Sequence, residues 1–101
     1  MPVRHSLREK RVHGERALRA ELIAELAHPK KTGEPDIVIE KPYPSMVHLY
    51  VIWKKWKDLE QTARSRIILD AYTEAKGDVE ADKVTVAMGL TRKEAADLGV
   101  K

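Results

Sequence analysis

The sequence predicts an α+β domain of two layers, in which a three-stranded mixed sheet carries its helices packed on one face. Two segments repeat apolar residues at helical spacing, and three short segments alternate apolar residues or concentrate β-branched ones. A capping signal near the end adds a last short helix, so the order is helix, strand, strand, helix, strand, helix. The 101 residues suffice for one domain with a single core.

The first helix is predicted from an apolar stripe at spacings of three and four residues. The stripe consists of Leu18, Leu22, Ile23 and Leu26. The helix is expected to end at His28, because the residue before Pro29 is pushed out of helical geometry. Gly14 costs roughly 1 kcal/mol relative to alanine in a helix interior, so a continuous helix is expected to begin near it. We therefore predict a basic, partly frayed segment at residues 1–13 and a single domain at residues 14–101.

The strands are predicted at residues 36–40, 47–53 and 84–88. The middle strand is largely apolar on both sides, so we expect it at the centre of the sheet, with one side partly open. Its two sides are Val47, Leu49, Val51 and Trp53, and His48, Tyr50 and Ile52. The first two strands are expected to pair antiparallel, and the third, reached through a long helix, can return parallel.

The central helix is the most regular element of the sequence. Asp58 is predicted to cap it, because Gln61 follows at the spacing of a capping box. Arg64 lies away from the apolar row, which consists of Leu59, Ala63, Ile67, Ala71 and Ala75. Gly77 is predicted to end the helix. A second capping box, Thr91 to Glu94, begins the last helix, which is predicted to end at Gly99.

Composition and charge limit the function classes. The chain has no cysteine, which excludes disulfides and cysteine-ligated metal, and no apolar run approaches the ~20 residues of a membrane helix. Because no secretory signal is recognisable, we expect a cytoplasmic protein without membrane association. Residues 1–31 hold eight Lys and Arg against four Glu, whereas the remainder is slightly acidic. Such a skew is typical of a nucleic-acid arm or of a well-solvated helix.

The turn after the middle strand, Trp53 to Lys57, is the most suggestive local feature. Its aromatic rings can stack on unpaired bases while its lysines meet phosphates, and arginines in the following helix can extend the surface. The predicted nucleic-acid surface consists of Lys54, Lys55, Trp56, Lys57, Arg64 and Arg66. The alternative is that both tryptophans belong to the core, Trp53 by continuing the strand and Trp56 by closing the turn.

These residues resemble a known motif of BolA-like proteins, which share the type II KH-like fold. The family shows an aromatic residue, a small turn residue two positions on, and Arg-x-Arg eight and ten positions on. Trp56, Asp58, Arg64 and Arg66 fall at that spacing, and Thr91 with its following Glu resembles the family's Thr-x-x-Glu near the third strand. The resemblance covers residues 17–94 and implies a non-catalytic nucleic-acid-binding or regulatory module.

The chain departs from that family at positions that carry chemistry. Ser65 stands where the family usually has His between the two arginines. Lys83 stands near the family's His that holds an iron–sulfur cluster together with glutaredoxin, and an ammonium group offers no lone pair to a metal. The comparable turn at residues 76–80 has one glycine and two acids rather than Gly-x-x-Gly, which argues against standard KH binding of RNA. We therefore expect no metal and no cofactor.

The open side of the middle strand suggests a second function. There His48 and Tyr50 are the predicted contacts for a protein partner, which makes the chain an interaction or adaptor domain. An enzyme is not expected, because no residue with nucleophilic or acid–base chemistry has an activating neighbour in the sequence. The expected partners are single-stranded nucleic acid or a protein, and the expected state is a monomer or a weak homodimer through an exposed strand edge.

Overall fold

The computed structural model describes the backbone of residues 2–100 and the side chains of residues 14–100. Seven regular elements make up the fold, and a single 3-10 turn, Lys54–Trp56, follows the second strand. They are α1 (Pro2–Ala27), β1 (Asp36–Tyr43), β2 (Met46–Ile52), α2 (Gln61–Lys76), α3 (Asp78–Ala81), β3 (Val84–Leu90) and α4 (Arg92–Leu98). The predicted α+β class and its element order are confirmed, with the one-turn α3 as an addition.

The sheet has the order β1-β2-β3, so the predicted central position of β2 is confirmed. β1 pairs antiparallel with β2, with Ile37 opposite Val51 and Ile39 opposite Leu49. β3 pairs parallel with β2, because the chain crosses over the sheet through α2 before it returns. The sheet is therefore mixed, and both β1 and β3 are edge strands.

The main core lies between the sheet and the pair of helices α1 and α2. The predicted stripe of α1 and the apolar row of α2 meet the inward side of β2 there. Leu22, Leu49, Ile67, Ala71 and Tyr72 are among its buried members. The last helix, α4, packs on the opposite face, where Ala95 covers Ile52 and Leu90. α1 and α2 thus pack on one face of the sheet, and α4 covers one end of the other, since Ile52 belongs to the second side of β2.

The helix ends agree with the sequence in part. α1 runs without interruption through Gly14, because the roughly 1 kcal/mol cost of one glycine does not break a helix of 26 residues. The side chains of residues 1–13 lie outside the described part of the structure, and so does the basic surface predicted for them. Gly77, with φ of 92°, ends α2, and the left-handed Gly99 ends α4, as predicted.

One predicted cap is wrong. α2 begins at Gln61 after Glu60, whose side chain makes no capping hydrogen bond, and Asp58 lies upstream in the turn. The capping box of α4 is confirmed, since Thr91 Oγ1 accepts from the backbone of Glu94 and the Glu94 carboxylate accepts from the backbone of Thr91. The side chain of Gln61 instead forms hydrogen bonds with the backbone of Gly89 at the outer edge of β3.

Candidate interaction surfaces

The two tryptophans of the predicted nucleic-acid turn are core residues. Trp53 is 2% exposed and Trp56 is 0% exposed, and their rings meet edge to face with centroids 5.2 Å apart. Trp56 Nε1 donates to the backbone oxygen of Val51 at 2.9 Å, which satisfies the polar atom of the buried ring. A ring without exposed surface cannot stack on a base, so the prediction that Trp56 contacts nucleic acid is wrong.

The lysines of the same turn remain at the surface. Lys55 Nζ donates to the carboxylate of Glu21 in α1 at 2.7 Å and lies 5.4 Å from the centroid of the Trp53 ring. Lys54 and Lys57 are exposed, and their side chains form no ion pair with any described residue. The turn therefore presents two uncompensated cations and one that is held by α1.

Arg64, predicted as part of the nucleic-acid surface, is buried. Its side chain is 7% exposed and donates to the backbone oxygens of Leu59 at 2.8 Å and Gly89 at 3.0 Å. It also donates to Oε1 of Glu94 at 2.8 Å, which neutralises its charge inside the protein. A buried guanidinium with these partners is unavailable to a phosphate, so Arg64 joins α2 to β3 and α4 instead.

Arg66, two residues further on, is exposed as predicted but not free. Its side chain is 54% exposed, and Nη2 donates to the carboxylate of Glu15 in α1 at 2.9 Å. Lys55 and Arg66 thus both bind acidic residues of α1, and the structure does not bring the six predicted residues together as one surface. Among those six residues, Lys54 and Lys57 are the exposed cations that form no ion pair with a described residue.

The carboxyl of Glu94 is stabilised in its ionised form. The backbone N–H of Thr91 donates to it and lowers the pKa of Glu94 most, and the Arg64 guanidinium lowers that pKa further. Because the folded pKa lies below the ordinary value of 4.5, ionised Glu94 stabilises the fold above that pH. This contribution is lost as the pH falls through the folded pKa.

The variant Glu94→Gln tests this linkage. It is expected to melt below the parent at about pH 7, because the amide forms neither the charge-assisted bond to Arg64 nor an equal cap. The difference in melting temperature should shrink as the pH is lowered through the folded pKa of Glu94, because the parent carboxylate then becomes protonated too. Glu74→Gln, at an exposed carboxylate without an ion pair in the described part of α2, is the matched control. A difference that stays constant with pH would contradict the assignment.

The outer edge of β3 is closed by side chains of α2. Gln61 accepts from the backbone N–H of Gly89 at 2.8 Å and donates to its carbonyl oxygen at 2.9 Å. Ser65 Oγ donates to the carbonyl oxygen of Ala87 at 2.6 Å, and Arg64 adds its bond to Gly89. These bonds occupy the backbone groups of Gly89 and the carbonyl oxygen of Ala87, which an edge strand otherwise presents to solvent.

Sequence reasoning did not identify this edge contact. The spacing of Gln61 predicts a capping box, and Ser65 stands where the BolA-like motif has His, so neither residue indicates a contact with β3. The one available signal was Gly89, a residue without a side chain inside an apolar strand, which often marks close approach of another element. A Cβ at Gly89 would lie 2.8 Å from Arg64 Cβ and 2.9 Å from the Trp56 ring, which confirms that approach.

The open part of the second sheet face surrounds His48 and Tyr50, as the sequence predicts. Both side chains are half-buried, and their rings meet edge to face with centroids 6.4 Å apart. His48 Nδ1 lies 4.0 Å from the carboxylate of Glu40 on β1, and Val86 of β3 is its register partner on the other side. Val38, Val86 and Met88, all half-buried, complete an apolar surface beside the area that α4 covers.

The described side chains form no group of three or more His, Cys, Asp or Glu that could hold a metal ion. Within the described part of the chain, no helix is both long enough and apolar enough to span a bilayer. Comparisons with family models, curated proteins and solved structures give no match to this chain. The resemblance to BolA-like proteins therefore stays a prediction, and the function is inferred from the surfaces described above.

Proposed function

We propose that the chain is a protein-interaction domain that docks a partner on the open part of the sheet face, around His48 and Tyr50. The observation that carries the proposal is the half-buried apolar surface of Val38, Val86 and Met88 beside them. Removing such a surface from water is favourable, and contiguous exposed apolar area often marks a site of association. The ring edges of His48 and Tyr50 add polar groups that can orient the partner.

Protein docking is favoured over nucleic-acid binding because two of the predicted nucleic-acid contacts are buried. Trp56 offers no ring surface to a base, and Arg64 offers no guanidinium to a phosphate. Lys55 and Arg66 already form ion pairs with Glu residues of α1, so a ligand would have to compete for both cations. The electrostatic attraction that remains for a nucleic acid is therefore smaller than the sequence implies.

Nucleic-acid binding is the second candidate function, because Lys54 and Lys57 are exposed on one short turn without ion-pair partners in the described chain. Such a turn can contact phosphates without reading bases. Binding of that kind weakens steeply with salt, because it is driven by the release of counterions. Docking on an apolar face should change little over the same range of salt.

One pair of variants separates the two candidates. His48→Ala with Val86→Ser alters the sheet face, and Lys54→Ala with Lys57→Ala alters the turn, so each double variant is the control for the other. We expect a protein captured from a lysate by the parent to be retained by the turn variant and lost by the face variant. Equal capture by both variants would contradict the proposal.

Nucleic-acid binding is measured by titrating the parent and both double variants with a labelled single-stranded oligonucleotide. Binding that is lost in the turn variant, and that also falls with salt, would favour the nucleic-acid function. Melting curves of both double variants establish that the fold is intact before either comparison is made.

A further inference from the structure

The backbone groups of β2 point alternately towards its two neighbouring strands. The N–H of Val47 donates to the carbonyl oxygen of Lys83, just before β3. The N–H of Trp53 donates to the carbonyl oxygen of Leu90, at the end of β3. Since backbone groups of successive strand residues point to opposite neighbours, odd-numbered residues of β2 face β3 and even-numbered residues face β1.

The same alternation fixes which residues of β1 face outward. Val38 is the register partner of Tyr50, an even-numbered residue, so Val38 bonds to β2. The N–H and C=O groups of Ile37 and Ile39 therefore point away from the sheet. No group in the described part of the chain bonds to them. β1 is thus an open edge, whereas the α2 side chains close the edge of β3.

A cleft of about 410 Å³ lies beside this open edge, on the side of the sheet that carries the helices. Ile37 and Ile39 line it together with Leu26 of α1, which gives it an apolar floor. Its wall contains four cations, namely Lys30, Lys31, Lys76 and Arg92, and two carboxylates, Glu25 and Asp36. A chain lying along β1 would direct every second side chain towards these cations.

Two of the four cations are available to a ligand. Lys30 is bound by the carboxylate of Glu25 at 2.6 Å, and Arg92 is bound by that of Glu34 at 3.2 Å. Lys31 and Lys76 form no ion pair among the described residues. On the other face of the sheet, the same edge borders the apolar side chain of Val38. A strand added at this edge would therefore be favoured by acidic side chains on the cleft side and by apolar side chains on the other face.

We propose that β1 takes up an extended segment of a protein partner as a fourth strand, with acidic side chains towards the lysine cleft and apolar side chains towards the open sheet face. Backbone hydrogen bonds to Ile37 and Ile39 supply affinity, and the alternation of acidic and apolar residues supplies specificity. The inference rests on the proposed function in that the ligand is a protein, but it concerns the sheet edge rather than the sheet face.

A second copy of the chain is a poorer occupant of this edge. A symmetric contact through β1 brings the same surface of both copies together, so that the cleft of one copy approaches the cleft of the other. The uncompensated charges of Lys31 and Lys76 would then face like charges. An acidic segment removes that repulsion and neutralises both lysines.

The test is a titration of the isotope-labelled protein with acetyl-Thr-Glu-Val-Glu-Val-Glu-Thr-amide, followed by amide NMR. We expect shifts and slower hydrogen exchange at Ile37 and Ile39. Ile39→Pro removes an outward N–H at an edge position that tolerates proline, and should weaken binding by about tenfold or more. Ile39→Thr keeps the N–H and is the matched control, with binding close to that of the parent. The same peptide with lysine in place of glutamate should bind weakly to the parent.

Several results would overturn the proposal. Shifts that avoid β1, or equal affinities of the proline and threonine variants, would exclude strand addition. Loss of binding in the His48→Ala with Val86→Ser variant, but not in Ile39→Pro, would assign the peptide to the sheet face, which leaves the proposed function standing without the edge. A homodimer in sedimentation of the free protein that Ile39→Pro disrupts would assign the edge to a second copy.

Discussion

Replacing Trp56 with alanine is expected to lower the free energy of unfolding by about 3–5 kcal/mol, the range for a buried tryptophan. The residue is fully buried against Trp53, and its loss would remove both the ring and the bond from Nε1 to the oxygen of Val51. The cost is a large fraction of the stability of a small domain. Urea denaturation followed by circular dichroism measures it.

Two further variants keep this prediction decisive if Trp56→Ala does not fold. Trp56→Phe retains most of the apolar ring but leaves the Val51 oxygen without this donor, so we expect a smaller loss of about 1–3 kcal/mol. Lys57→Ala changes the exposed neighbour and should lie within about 0.5 kcal/mol of the parent. A Trp56 variant that unfolds at the same urea concentration as the parent would show that the ring is not in the core.

The second large effect is expected at Gly89. A Cβ there would lie 2.8 Å from Arg64 Cβ and 2.9 Å from two atoms of the Trp56 ring. Both neighbours are buried and cannot move aside without disturbing the hydrogen bonds between α2 and β3. Gly89→Ala should therefore destabilise the fold by about 1–3 kcal/mol, as overpacked cores do.

Gly14→Ala provides the matched control, because it adds the same methyl group elsewhere in the chain. A Cβ at Gly14 meets no atom within 4 Å, and the residue lies in the interior of α1. Alanine is the better helix former by about 1 kcal/mol, so this variant should be more stable than the parent. If the two substitutions changed stability in the same direction, either the close approach at Gly89 or the helix at Gly14 would be misassigned.

The parts of the fold that depend on local pattern could be predicted from the sequence. The alternation in β2 indicates its central position, and the spacing from Thr91 to Glu94 indicates the cap of α4. These features follow from which residues lie two, three or four positions apart, so a linear pattern contains them.

The burial of Arg64 could not be predicted in this way. The expectation that Arg64 lies away from the apolar row is wrong, because Arg64 is buried on the same face of α2 as Ile67 and Ala71. A charged residue beside an apolar row normally lies at its exposed boundary. The burial of Arg64 depends on acceptors contributed by Gly89 and Glu94, which are 25 and 30 residues away. Only the folded structure brings those acceptors to the guanidinium, and the predicted binding surface was too large for that reason.

The contrast between the two sheet edges also limits how the protein can aggregate. Growth of a fibril by addition of sheet to sheet requires each molecule to offer two open edges, one for each neighbour. Here Gln61 occupies both backbone groups of Gly89 and Ser65 occupies the carbonyl oxygen of Ala87, so β1 is the more open of the two edges. Pairing through β1 therefore leaves β3 as the outer edge, where the bonds from α2 hinder the addition of a further strand. The polar residues of α2 thus oppose growth beyond one pairing step, and we expect their removal to favour it.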